Sequence, residues 1–121
     1  MKTIALIAHD GKKDEMIEFV RQYKERLAQF SLIATGTTGG LIESEVGLPV
    51  DRMLSGPIGG DVQIAAQVVS GHVSAVIFFV DHLAAHPHDP DIQTLLRLCD
   101  VHNVPLATNP ATARLIIAGD L

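Results

Sequence analysis

Short, mainly apolar runs alternate along the chain with longer stretches in which apolar residues recur every three or four positions. The runs cover residues 3–8, 31–34, 50–54, 75–80 and 104–107 and are rich in aliphatic and β-branched side chains. Continuous apolar character over so few residues predicts strands covered on both faces. Between the first two runs, Met16, Val20, Tyr23, Leu27 and Phe30 form one stripe at spacings of four and three, which predicts a helix over 14–30. Ile64, Ala65 and Val68 predict another over 61–70, with Gly71 placed to end it. Ile92, Leu95, Leu96 and Cys99 predict a third over 91–102. A shorter helix is expected over 38–45 and a last one from about 111 to 118. Strands alternating with helices call for right-handed crossovers. The expected fold is therefore α/β, three layers of helix, sheet and helix around a central five-stranded, mainly parallel sheet.

The polar and glycine-rich clusters fall at the carboxyl ends of the expected strands. His9-Asp10-Gly11-Lys12-Lys13 follows the first, Thr35-Gly36-Thr37-Thr38-Gly39 the second, Ser55-Gly56-Pro57-Ile58-Gly59-Gly60-Asp61 the third, and residues 81–91 the fourth. Ligands of open parallel sheets bind in the crevice at that edge. One or two such loops would be explained by the ordinary preference of turns for Gly, Ser, Thr and Asp; four in succession point to a shared pocket.

Composition narrows the class. At 121 residues the chain is expected to form one domain, and with 47% hydrophobic and 19% charged residues it is not a disordered sequence. Nine Lys and Arg against fourteen Asp and Glu give a net charge of −5 without any basic run, so neither nucleic acid nor a membrane surface is an expected partner. The apolar run at the N-terminus is too short for a secretion signal or a membrane span, so a cytoplasmic location is expected. The single cysteine, Cys99, has no internal disulfide partner and reads as a packed thiol. A mean hydropathy of +0.28 is high for so small an interior and predicts a homo-oligomer that covers apolar surface.

The loops suggest the chemistry. Residues 35–39 open a helix directly after a strand, so backbone N–H groups, three hydroxyls and the positive end of the helix would face an anion. Gly36 and Gly39 would let a ligand come close to the backbone. Ser55 and Gly56 supply a second wall and Lys12 or Lys13 a point charge, which together suit a phosphate monoester. Neither a Walker-type G-x-x-x-x-G-K-[ST] nor a G-x-G-x-x-G after the first strand occurs, which disfavours ATP hydrolysis and dinucleotide redox chemistry. Around this site lie His9, Asp10, Asp61, Asp81, His88, Asp89 and Asp91. No serine stands in a nucleophile elbow. A carboxylate can remove a proton α to a carbonyl while a neutral imidazole donates to the oxygen that becomes enolate-like, so the set suits enediolate chemistry. Three His and three Asp between 81 and 91 also suggest a metal loop, although their spacing matches no well-defined zinc pattern. His72 and His102 fall near helix ends and are expected to be solvated.

These residues closely resemble the methylglyoxal synthase family over residues 4–117. The matching motifs are Ala8-His9-Asp10, Ala34-Thr-Gly-Thr-Thr-Gly39, Leu54-Ser-Gly-Pro-Ile-Gly-Gly-Asp61, Phe78-Phe79, Pro87-His-Asp-Pro-Asp91 with Leu95-Leu-Arg97, and Ala107-Thr-Asn109. The resemblance implies elimination of inorganic phosphate from dihydroxyacetone phosphate to give methylglyoxal, with no metal and no organic cofactor, in a homohexamer that inorganic phosphate inhibits. It also implies that Asp61 is the base, that His88, Asp91 and His9 are polar groups around the enediolate, and that Lys13, Thr35, Thr37, Thr38, Ser55 and Gly56 contact the phosphate. A helix start favours the carboxylate of Asp61, so stabilisation of the enediolate must carry much of the rate, with His88 as the expected donor.

The chain departs from the family at His82, where proline is usual. It departs again at Gly40, which is expected to loosen the first turn of its helix. Some members carry a longer C-terminal segment whose arginine reaches a neighbour's phosphate site; this chain stops at Leu121, so that contact is not expected. The same fold serves as the ligand-binding domain of carbamoyl phosphate synthetase, a rival that needs the anion loops but not the acid–base groups. A receiver domain would need a lysine near the end of the fifth strand, and every lysine lies at or before Lys24.

Overall fold

The computed structural model describes residues 1–84 and 92–121. Five strands, β1 (Thr3–Ala8), β2 (Ser31–Ala34), β3 (Asp51–Arg52), β4 (Ala75–Phe79) and β5 (Leu106–Ala107), form one sheet in the order β3-β2-β1-β4-β5. Every pairing is parallel, with Leu6 opposite Ala34 on one side of β1 and Ile77 on the other. The helices are α1 (Lys13–Gln22), α2 (Lys24–Leu27), α3 (Gly36–Glu45), α4 (Gly60–Val69), α5 (Ile92–Val101) and α6 (Pro110–Ala118). Because the chain steps outward from β1 through β2 to β3 and then returns to place β4 on β1's other side, the sheet has its topological switch between β1 and β4.

Both faces of the sheet are covered, as uninterrupted apolar strands require. Ile4, Leu6 and Ala8 of β1 pack with Met16 and Val20 of α1, Ile42 of α3 and Ile117 of α6. The alternate residues Ala5 and Ile7 pack on the opposite face with Ile64 and Val68 of α4 and Leu95 and Cys99 of α5. The side chains of Ile4, Leu6, Ile7, Ile77, Phe78 and Phe79 are completely or almost completely buried. At about 1.5–3 kcal/mol for each large side chain removed from water, this two-sided core is the main source of stability.

The structure corrects several boundaries. The helix expected over 14–30 breaks at Tyr23, whose φ of −108° and ψ of 25° lie outside the helical region. Beyond the break, Arg26 donates from Nε to the carbonyl of Ile117 at 2.8 Å, and its guanidinium lies over the ring of Phe30. The third strand pairs only at Asp51 and Arg52, because Val50 turns into the core and Leu54 is engaged by other loops. Two charged, exposed residues then end the sheet, an arrangement that discourages further strand pairing. Only Leu106 and Ala107 pair in the fifth strand, and β4 stops at Phe79. Helices α3, α4 and α6 each begin one or two residues earlier than the periodicity predicts.

Candidate functional site

The loops that leave β1, β2, β3 and β4 lie at the carboxyl edge of the sheet, where hydrogen bonds join the first to the fourth and the second to the third. His9, the first residue after β1, is buried. Its backbone N–H donates to the carbonyl of Phe79, and its Nδ1 accepts the backbone N–H of Asp81 at 3.0 Å. A ring nitrogen that accepts a peptide N–H carries a lone pair, so the hydrogen-bond pattern assigns the ring proton to Nε2. The edge of the His9 ring meets Phe78 at 5.4 Å between centroids. Lys13, at the start of α1, sends its ammonium back to the end of β1, where Nζ donates to the carbonyl of Ala8 at 2.7 Å and lies 3.3 Å from Asp10 Oδ1. Lys12, the alternative cation, pairs with Glu15 instead.

Thr35 is the N-cap residue of α3, yet its hydroxyl does not cap the helix; it lies 3.5 Å from the hydroxyl of Thr38, both side chains being buried. The contrast is α6, whose first turn is capped by Asn109 Oδ1 accepting from the N–H and hydroxyl of Thr112. A helix start without a side-chain cap leaves donors for another acceptor. The N–H of Gly36 is not among them, since it donates to the carbonyl of Leu54 at 3.0 Å. The expectation that Gly36 admits a ligand to the backbone is corrected accordingly. A Cβ there would stand 3.1 Å from both the Met53 carbonyl oxygen and the Ser55 nitrogen, so its bareness admits the neighbouring loop. Among the described residues, the N–H groups left without a partner in the first turn of α3 are those of Thr37 and Thr38.

Leu54 joins this loop to the start of α4. Its carbonyl accepts from Gly36, its N–H donates to Gln63 Oε1 at 2.7 Å, and its carbonyl oxygen occupies the place a Cβ on Gly60 would take. Gly60 N–H donates to the Ser55 carbonyl at 3.1 Å, and Gly59 enters α4 with φ of +108°, a conformation that favours glycine. Asp61 stands in the first turn of α4, half-buried, and among the described residues no hydrogen bond or ion pair occupies its carboxylate. Thus the first turn of α3, the Ser55-Gly56 wall and the start of α4 that carries Asp61 are tied to one another through a single residue, Leu54.

Asp81, just beyond β4, is held as a carboxylate below its ordinary range, first by the N–H of Leu83 and then by that of Ala84, each 3.0 Å from Oδ1. Gly11 makes room for it, because a Cβ at that position would overlap Asp81 Oδ2. This carboxylate orients the turn at Leu83 and Ala84, and its own N–H orients His9. The expected roles of His88 and Asp91 fall on residues 85–91, outside those described, as does all of the expected metal loop beyond residue 84. Among the described residues no group of three or more His, Cys, Asp or Glu could hold a metal ion. Cys99 is packed beneath α5, where burial pushes its thiol up to about 11, so it is no nucleophile at neutral pH. His72 and His102 are exposed.

A parallel sheet with glycine-bounded loops tied together at its carboxyl edge is the framework of a small-ligand α/β domain. The chain belongs to the MGS-like domain family, whose model matches residues 15–108. It is 57% identical over 118 residues to the methylglyoxal synthase of Thermus thermophilus, an alignment covering 98% of this chain and 94% of that protein. The crystal structure of methylglyoxal synthase from Elizabethkingia anophelis NUHP1 superposes with a TM-score of 0.95 at 47% identity, over 98% of this chain and 78% of that one. An uncharacterised protein of Synechocystis is 58% identical over 114 residues, and there the match spans 94% of this chain but only 26% of the longer relative.

Sequence reasoning missed the parts played by Leu54, Gln63 and Gly60. The doublet Gly59-Gly60 before Asp61 is the available signal, since two adjacent glycines at a helix start mark a positive φ or a close backbone approach, and here they provide one of each.

Proposed function

We infer that this chain is a carbon–oxygen lyase that eliminates inorganic phosphate from dihydroxyacetone phosphate, through an enediolate, to give methylglyoxal. The observation that carries this reading is the likeness of nearly the whole chain to proteins of that activity. The linkage of the anion turn to the start of α4 through Leu54 supports it. The substrate's phosphate is held by the N–H groups and hydroxyls of Thr37 and Thr38, by Thr35, Ser55 and Gly56 along the walls, and by the ammonium of Lys13, while Gly36 serves the loop packing instead. Asp61 takes a proton from the hydroxymethyl carbon, and the electron pair moves onto the carbonyl oxygen as the enediolate forms. His9, protonated at Nε2, and His88 with Asp91 are assigned to the enediolate oxygens, where donors preorganised for developing charge have their largest effect.

The C–O bond to phosphate then breaks, its electron pair leaving with the phosphate. Breakage is fast when that bond stands perpendicular to the enediolate plane, where its σ* orbital overlaps the π system; held in the plane, the phosphate would stay and the intermediate would isomerise. The Thr35–Thr38 turn and Lys13 therefore act by fixing a torsion as much as by neutralising charge. The enol of methylglyoxal that remains takes up a proton at its methylene carbon. Each step is a proton transfer or a heterolysis, so no metal or organic cofactor is required, and phosphate released into the same contacts is an inhibitor.

Exposed Ile58, Val62, Val101 and Leu115, each more than 60% accessible, support self-association, for which the homohexamer is the form proposed. No helix among the described residues is long and apolar enough to cross a membrane, and the location proposed is the cytoplasm. The reading is tested by incubating the chain with dihydroxyacetone phosphate and a chelator and assaying both products. One phosphate per methylglyoxal, undiminished by chelation, is expected. Binding without turnover would favour the ligand-binding module, and loss of turnover on chelation would restore the metal loop.

A further inference from the structure

Arg52, at the edge of the sheet, is exposed to solvent, yet its side chain has a fixed course. Its side chain folds back over α3, and Nε donates to the carbonyl oxygen of Gly36 at 3.2 Å. The glycines at 39 and 40 form the trough that receives it. A Cβ on Gly39 would stand 2.8 Å from Arg52 Cγ, and one on Gly40 would stand 3.1 Å from Nη2 and 3.2 Å from Cζ. Gly40, expected to weaken the helix, sits within an unbroken α3 and makes space for a guanidinium. Among the described residues no carboxylate forms an ion pair with that guanidinium. A full positive charge is thus held against the first turn of the helix to which the phosphate is assigned.

The carbonyl that Arg52 contacts belongs to the same peptide group as the N–H of Thr37. A charged donor on the oxygen of a peptide withdraws electron density and strengthens the N–H on its other end, because hydrogen bonds in series polarise one another. We propose that Arg52 is a positioning residue of the phosphate site: clamped in the Gly39-Gly40 trough, it holds the Gly36–Thr37 peptide in place and raises its anion affinity without touching the substrate. The proposal rests on the reading of residues 35–38 as the phosphate turn.

Inorganic phosphate inhibition and KM for dihydroxyacetone phosphate, measured at low and at about 1 M salt, test it in Arg52→Met, Arg52→Lys and Thr38→Ala. One charge at short range in a water-like medium corresponds to about a fivefold change. Arg52→Met should therefore raise both constants about fivefold at low salt, with kcat changed less than about twofold. The difference should shrink at 1 M, where charges are screened within about 3 Å. Arg52→Lys should recover most of the loss. If Thr38→Ala weakens phosphate inhibition while Arg52→Met does not, the proposal is wrong and the phosphate turn stands. Should Thr38→Ala leave inhibition unchanged, the turn itself is misread and the proposal goes with it. An effect of equal size at both salt concentrations that lysine does not rescue would reduce Arg52 to a prop for α3. Melting curves establish that each variant is folded, and Arg52→Gln replaces the methionine variant if that one is not.

Discussion

Replacement of Asp61 by asparagine is expected to lower methylglyoxal formation at least about a thousandfold while leaving phosphate binding intact. An amide has nearly the shape of a carboxylate and cannot accept the substrate's proton, and a positioned general base contributes typically about 10²–10⁴ in rate. The carboxylate belongs to the first turn of α4 and holds no partner among the described residues, so little else is lost with its charge. Removing a negative charge beside an anion site should, if anything, tighten inorganic phosphate. Initial rates and a phosphate titration on the same preparation check both halves. Undiminished turnover would exclude Asp61 as the base, and loss of both activities together would make it a structural residue.

Gly60→Ala should be nearly as damaging, for a different reason. A methyl group at that position would overlap the carbonyl of Leu54, which is backbone and cannot swing aside as a side chain would. Either α4 or the loop after β3 must move, and forced overpacking costs up to about 3 kcal/mol of stability. The larger effect is on the reaction. The displaced carbonyl is the one that Gly36 N–H donates to, and the displaced helix carries Asp61 one residue away. A shift of about 1 Å in a reacting group can cost about a hundredfold in rate, so a drop in kcat of at least that size is expected, with a melting temperature lowered by several degrees. Circular dichroism and initial rates measure the two effects. A variant with wild-type kcat would show that the Leu54 linkage does not position the base.

The layers of the fold were legible because burial on both faces has a direct signature in the sequence: strands such as residues 3–8 carry no polar residue on either side beyond the first, and helices carry one stripe. That the polar loops share one edge was legible because parallel topology places every β-to-α loop at the carboxyl end of its strand. Which loops touch is set by the strand order, the loop of β1 meeting that of β4 and the loop of β2 that of β3. What failed were features set by contacts distant in sequence. Tyr23 fits the apolar stripe, and nothing local announces that the helix stops there before Arg26 reaches the carbonyl of Ile117. The strand expected over 50–54 pairs only at its charged residues Asp51 and Arg52, and the carbonyl and N–H of Leu54 are claimed by Gly36 and Gln63. Gly36, expected to give a ligand access, admits a neighbouring loop, as Gly60 does, and Gly40, expected to loosen its helix, admits Arg52. A glycine reports that something comes close, and only the fold says what.

The reaction carried out in deuterium oxide and followed by proton and phosphorus NMR bears most directly on the proposed chemistry. Proton removal from the hydroxymethyl carbon, loss of phosphate and uptake of one solvent hydrogen at the former methylene carbon require a methyl group bearing a single deuterium, with phosphate appearing in step with methylglyoxal. A fully protonated methyl group, or accumulation of an aldose phosphate in place of free phosphate, would contradict it.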